Sequence, residues 1–238
     1  MSVDAAVGEL LDGRPGLVSP AFQLDLPAKF DYGNTIPLAV RLDHPTEGPS
    51  RVRRVVVFAG GNPFPEVATL EFPPANRRAS ATTRIRLNEG VQDVVAVAEL
   101  EDGEAWVARR AIEVAISGCS SETGVTVAEA MPMPQPRITL PAVARRDEVI
   151  EVRTMISHWM ETGLRSDAEG RPIPRRIIHR LKCDAEGEPV FTADLTPAIA
   201  ANAYLSFPLL ARRSTVLDFT WSEDGGAEYR AVQALTVA

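Results

Sequence analysis

Short apolar runs that alternate with polar residues, broken every few positions by proline or glycine, constrain this chain more than any other feature. Between residues 34 and 116 they read NTIPLAVRLDHP, RVRRVVVFAGG, EVATLEFPP, SATTRIRLNEG and VVAVAELEDGEAWVARRAIEVAI. Alternation with a period of two is the pattern of a strand with one buried face. In the last run EDGE forms a hairpin turn, with Asp102 and Gly103 supplying the turn chemistry. The return strand sorts by face: Trp106, Ala108, Ile112, Val114 and Ile116 share one side, interrupted by Arg110. Val107, Arg109, Ala111, Glu113 and Ala115 share the other, which should be wet. Only the opening VDAAVGELLDG breaks the β pattern. Val3, Ala6, Val7, Leu10 and Leu11 have helical spacing before a glycine, predicting a short helix or ordered arm.

From Ser117 to Pro136 the chain reads SGCSSETGVTVAEAMPMPQP, small and polar residues with prolines and no core face, as in a flexible linker. Strand signals resume at RITLPAVA and continue to the end. The final hairpin turns at Asp224, Gly225 and Gly226, with Leu217, Phe219 and Trp221 facing one way. Short strands at regular spacing on both sides of a linker predict an all-β chain of two immunoglobulin-like antiparallel β-sandwich domains. The expected division is 1–116 for the first sandwich with its N-terminal helix or arm, 117–136 for the arm and linker, and 137–238 for the second.

The net charge of -7 argues against a nucleic-acid backbone or an anionic membrane surface as the main partner, since either would draw a basic patch. No apolar run approaches the roughly 20 residues that span a bilayer, and MSVDAAVGEL has neither the basic nor the apolar region of an export signal. On residues alone the chain is either cytoplasmic or a mature form whose signal has been removed. Two cysteines permit one disulfide and no framework.

Those two cysteines differ in setting. In IIHRLKC, Cys183 falls in phase with Ile177, His179 and Leu181, which predicts a buried structural thiol. Cys119 follows the end of a strand, between Ser117, Gly118, Ser120 and Ser121, where little is available to bury it. An exposed thiol there can ionise, and the thiolate is the form that attacks electrophilic sulfur. No Lys, Arg or His lies close in sequence to depress its pKa below the reference of about 8.5. That suits a carrier, which borrows its chemical environment from each partner, better than a catalytic cysteine. Counted from Ile116, the sulfur can stand on the order of 10 Å beyond the strand end. Pairing of Cys119 with Cys183 is the structural alternative, and it would require a core-face cysteine to meet a loop thiol.

The second half is similar to the SoxZ family over nearly its whole length, carried by SHWMETG at residues 157–163 and ADLTPAIAANAYLSF at 193–207. The first half resembles the SoxY family, through RRVVVFAGGNPFPEVATLEF at residues 53–72 and a strand leading into Gly118 and Cys119. The resemblance implies a natural fusion of two proteins that otherwise form a tight heterodimer, so the halves should pack against each other. It also implies a carrier, not an enzyme: sulfur derived from thiosulfate held covalently on Cys119, with Ser117, Gly118, Ser120 and Ser121 as the arm. The implied partners are a haem thioltransferase, a dimanganese sulfate-releasing hydrolase and a sulfur dehydrogenase, in the periplasm, with no cofactor on the carrier itself. In the SoxY family the arm normally ends the chain as GGCGG; here it reads SGCSS and continues into the second domain. Two alternatives stand beside thiosulfate oxidation: a carrier or scaffold serving a quinoprotein dehydrogenase pathway, and a non-catalytic interaction module.

The other chemistry-bearing residues read as structural. His158 closes a strand in phase with Ile150, Val152 and Ile156, and His44 precedes Pro45 in a turn. Met131 and Met133 are soft thioethers, but two methionines among prolines fall short of a Cu(I) site, and no metal is expected. Arg175 and Arg176 read as a solvated turn that could also steer anionic thiosulfate.

Overall fold

The structure, a computed structural model, describes residues 1–42, 50–74, 79–118, 133–167 and 169–238. The chain opens with α1 (Val3–Leu11), followed in the first half by β1 (Gly16–Leu17), β2 (Phe22–Asp25), β3 (Lys29–Tyr32), β4 (Ile36–Leu42), β5 (Val52–Ala59), β6 (Glu66–Glu71), β7 (Ala81–Ile85), β8 (Gly90–Leu100) and β9 (Ala105–Ile116). The second half contributes β10 (Pro136–Thr139), β11 (Val143–Ala144), β12 (Glu148–Ile156), β13 (Ile178–Ala185), β14 (Glu188–Leu195), β15 (Tyr204–Ala211), β16 (Thr215–Glu223) and β17 (Glu228–Val237). The all-β immunoglobulin-like class read from the sequence holds.

The strands form two sheets, and each sheet runs through both halves. The larger is ordered β1-β9-β8-β5-β6-β14-β13-β16-β17-β11, with β3 also beside β9; the smaller is β10-β12-β15-β7-β4-β2. The halves therefore do more than pack together: they share backbone hydrogen bonds at two seams. At the first, β6 meets β14 antiparallel, pairing Leu70 with Ala193 and Thr69 with Asp194. At the second, β7 meets β15, pairing Thr83 with Leu205, and the Thr83 hydroxyl donates to the Tyr204 carbonyl at 2.8 Å. Each seam covers an edge that would otherwise offer unpaired N–H and C=O groups. Most pairings are antiparallel, but β1 and β3 on β9, and β11 on β17, are short parallel pairs.

Between the sheets lies a continuous apolar core drawn from both halves. Phe72 of the first half sits 5.8 Å from Phe191 of the second at a 57° tilt, and Phe191 stacks on Phe207 at 4.2 Å. Such ring pairs add stabilisation beyond the area they bury.

The helix explains one departure from the sequence reading. Ser2 caps α1 by accepting from the Ala5 N–H, and Asp12 ends it in the left-handed region at φ 47°. Val3, Ala6 and Val7 pack on Val56, Phe58, Val95, Val97 and Ala105, on the outer face of the larger sheet. So the β9 face predicted to be wet is covered at Val107 by the helix, and Arg109 of that face pairs with Asp4 of α1 and with Asp93 at 2.7 Å. On the opposite face Ile112 and Val114 are buried as predicted, whereas Ile116 emerges at the strand end, 47% exposed.

Candidate functional site

The hairpin of β8 and β9 carries the chain to Gly118, the last described residue before the predicted carrier segment. Three backbone hydrogen bonds lock that point: Gly33 N–H donates to Ile116 O at 2.8 Å, Leu87 N–H to Gly33 O at 2.7 Å, and Gly118 N–H to Leu87 O at 2.8 Å. Gly118 is buried. A Cβ on Gly33 would overlap the Leu87 carbonyl oxygen, and one on Gly118 would overlap the Gly33 carbonyl, so both positions require glycine for close backbone approach.

A polar cluster supports the anchor. The Ser117 hydroxyl donates to Asn88 Oδ1 at 3.0 Å, and Asn88 in turn donates to Gly61 O at 2.9 Å and accepts at its backbone carbonyl from Gln92 Nε2 at 2.8 Å. Asn62 accepts from Asn88 N–H at 3.1 Å and donates to Arg86 O at 2.9 Å. Ser117 and Gly118 thus belong to a hydrogen-bonded foot and not to the free arm expected of them. Cys119, Ser120 and Ser121 lie outside the described residues, as do His44 and Met131; Met133 is exposed.

The foot is tied to the second half through Arg86, whose guanidinium donates to the carbonyls of Met160 at 2.5 Å and Trp159 at 2.9 Å. Both belong to SHWMETG. His158 is buried there, its Nδ1 accepting from Met160 N–H at 2.9 Å and its Nε2 standing 3.4 Å from Glu223. Burial pushes the imidazole below its ordinary pKa against the pull of Glu223, so it is neutral. Burial alone would raise the Glu223 carboxyl, but hydrogen bonds from Arg176 and Tyr229 hold it below the usual carboxylate range. His158 is a core residue, as its strand phase suggested. Arg176 pairs with Glu223 and Arg175 forks onto Asp224 with two contacts of 2.9 Å, so these arginines brace the second half. Among the described residues no cluster of three or more metal-ligating side chains occurs.

Cys183 is a free thiol with no exposure, and burial raises its pKa well above the ordinary value, which suppresses the reactive thiolate. The core phase read for His179 is broken by a register shift between Ile178 and Arg180; Ile178 fills the core and His179 is half-buried. Sequence reasoning missed Gly33, Asn62, Asn88 and Arg86. The glycine and asparagine of YGN and GGN were visible as turn residues, but nothing local marked them as the support of a strand end distant in the chain.

Two family matches span most of the polypeptide: sulfur oxidation protein SoxY over residues 9–119 and sulphur oxidation protein SoxZ over residues 138–234. The first ends on Cys119. Among solved structures, the sulfur carrier protein SoxY from Chlorobium limicola f thiosulfatophilum is similar at 23% identity, with 48% of this chain and 97% of that one covered and a TM-score of 0.41. A superoxide reductase (neelaredoxin) from Ignicoccus hospitalis is similar at 21% identity over 47% of this chain and 90% of that one, TM-score 0.36. The fibronectin(III)-like modules of Clostridium thermocellum CbhA are similar at 14% identity over 90% and 94%, TM-score 0.28. No curated protein matches the chain. With a SoxY domain and a SoxZ domain in one polypeptide, the chain belongs to the SoxY and SoxZ sulfur-oxidation families as a fusion of the two.

Proposed function

We propose that this protein is a covalent carrier of sulfur intermediates, with Cys119 as the attachment point and partner enzymes performing the chemistry. The observation that carries the reading is that the SoxY match ends on Cys119, directly after a glycine that the fold clamps by hydrogen bonds. A clamped foot followed by small residues suits presentation of a thiol to visiting active sites, while the other cysteine is sealed in the core.

The loading step joins the Cys119 thiol to the outer sulfur of thiosulfate. One S–S bond forms, one proton leaves, and two electrons pass to a haem thioltransferase. Hydrolysis of the resulting S-thiosulfonate by a dimanganese hydrolase breaks the bond between the sulfane and sulfonate sulfurs, releasing sulfate and a proton and leaving a persulfide for a sulfur dehydrogenase. The carrier needs no cofactor of its own for these steps, only a nucleophilic thiol. The setting proposed for them is the periplasm; among the described residues no helix is long and apolar enough to cross a membrane.

Intact-protein mass spectrometry after incubation with thiosulfate and the conjugating partner tests the reading. An adduct that maps to Cys119 and is absent from Cys119→Ser supports it; the same adduct on Cys119→Ser overturns it.

A further inference from the structure

The larger sheet ends differently on its two sides. At one end β9 is covered near both termini, by β1 at Ala105 and Trp106 and by β3 from Glu113 to Ile116, and it carries Arg109 and Arg110 in between. At the other end β11 covers β17 only at Thr236 and Val237. Covering segments and charged side chains are what keep an edge strand from pairing further. The rest of β17 has little of either. Glu228 and Arg230 pair with each other at 2.8 Å, and residues 231–238 read AVQALTVA, without a charge, proline or glycine.

The hairpin fixes which backbone groups of β17 face away from its neighbour. Glu223 N–H donates to Ala227 O at 2.8 Å and Gly226 N–H to Glu223 O at 3.1 Å, so Glu223 turns both of its groups toward β17. Antiparallel pairing alternates, and the register sets Trp221 against Tyr229, Phe219 against Ala231 and Leu217 against Gln233. Those three residues of β17 bond inward to β16, while Glu228, Arg230, Val232 and Ala234 aim N–H and C=O outward. Ala238 shares the outward phase, and its N–H donates to Ala144 O beside β11 at 3.0 Å, which agrees with that direction. Among the described residues no strand lies along the four outward positions; the Ala234 carbonyl is met at 3.3 Å by Nε2 of its neighbour Gln233. All four residues are exposed, Val232 at 62%.

We propose that β17 is the contact between two copies of this chain, which join edge to edge about a two-fold axis at Ala231 and extend the larger sheet from one copy into the other. A two-fold axis makes identical strands antiparallel, and four outward positions spaced evenly about Ala231 are then all used. Arg230 of each copy lies opposite Val232 of the other, and Glu228 opposite Ala234, so no like charges face each other directly. The contact stops where β11 takes the edge, at Thr236. This fit of the strand to its own copy, in length and in charge, favours a second copy over a foreign strand. The proposal does not rest on the carrier reading.

Sedimentation equilibrium of the full chain over a concentration series tests it. Wild type is expected to pass from monomer to dimer. Val232→Pro should weaken the dimer about 10- to 100-fold, since each copy loses one outward donor while the bonds to β16 are kept. Val216→Lys, on β16 and 43% exposed, lies one strand in from the edge and should leave the dimer unchanged. Hydrogen exchange on wild type reads the edge without any substitution: protection over residues 228–234 should rise with protein concentration, and protection of β2, an edge of the smaller sheet, should not. A chain that stays monomeric up to about 1 mM leaves the edge to a strand of another protein and overturns the proposal. A folded Val232→Pro dimer as strong as wild type, equal weakening by Val216→Lys, or exchange at 228–234 that ignores concentration also overturns it.

Discussion

Gly33 and Gly118 meet backbone to backbone, and neither has room for a side chain. Gly33→Ala must move the Leu87 carbonyl or lose the hydrogen bonds around it, and is expected to cost about 1–3 kcal/mol. Gly8 is the contrasting case: on the exposed face of α1 it has nothing within 4 Å, and Gly8→Ala should raise stability by about 0.5–1 kcal/mol. Thermal melting of the two variants checks the pair, and a Gly33→Ala protein that melts at or above wild type contradicts the anchor. At this scale the sequence was legible where the cue is local. The burial of Cys183 followed from strand phase, and the helix from the spacing of Val3, Ala6 and Val7. The anchoring of Ser117 and Gly118 was not legible, because it depends on carbonyls and an asparagine contributed by other strand connections.

Among the elements, the seams between β6 and β14 and between β7 and β15 were the least visible in advance. Alternation tells which side of a strand is buried but is silent about which strand lies beside it. Phe191, on β14 at the first seam, touches rings from both halves. Phe191→Ala is expected to cost about 3–5 kcal/mol and to loosen β6 as well as β13, read by hydrogen exchange on both strands. Protection lost in the second half alone would contradict a shared core. The strand end at His158 carries a pH dependence. Because its folded pKa lies below the unfolded value of about 6.5, its contribution is present above that pH and is lost as the pH falls through the folded pKa. Glu223, also depressed, adds a loss as the pH falls below about 4.5. Denaturant melts from pH 7.5 to 4 should show stability falling with acidity, and His158→Gln should flatten the upper part of that fall; an unchanged slope would place the titration elsewhere.

For the whole molecule, the fusion of two families into one chain coincides with sheets that run unbroken through both halves. One core and two hydrogen-bonded seams predict a single cooperative unfolding transition in calorimetry, and two well-separated transitions would show halves that fold independently. In the carrier function proposed above, everything converges on the sulfur of Cys119, the residue after a clamped glycine. The most direct measurement is intact mass and peptide mapping of the protein recovered from cells that are oxidising thiosulfate. The account predicts sulfur-bearing adducts confined to Cys119, with Cys183 unmodified; protein recovered without any adduct on Cys119, or with the adduct on Cys183, would contradict it.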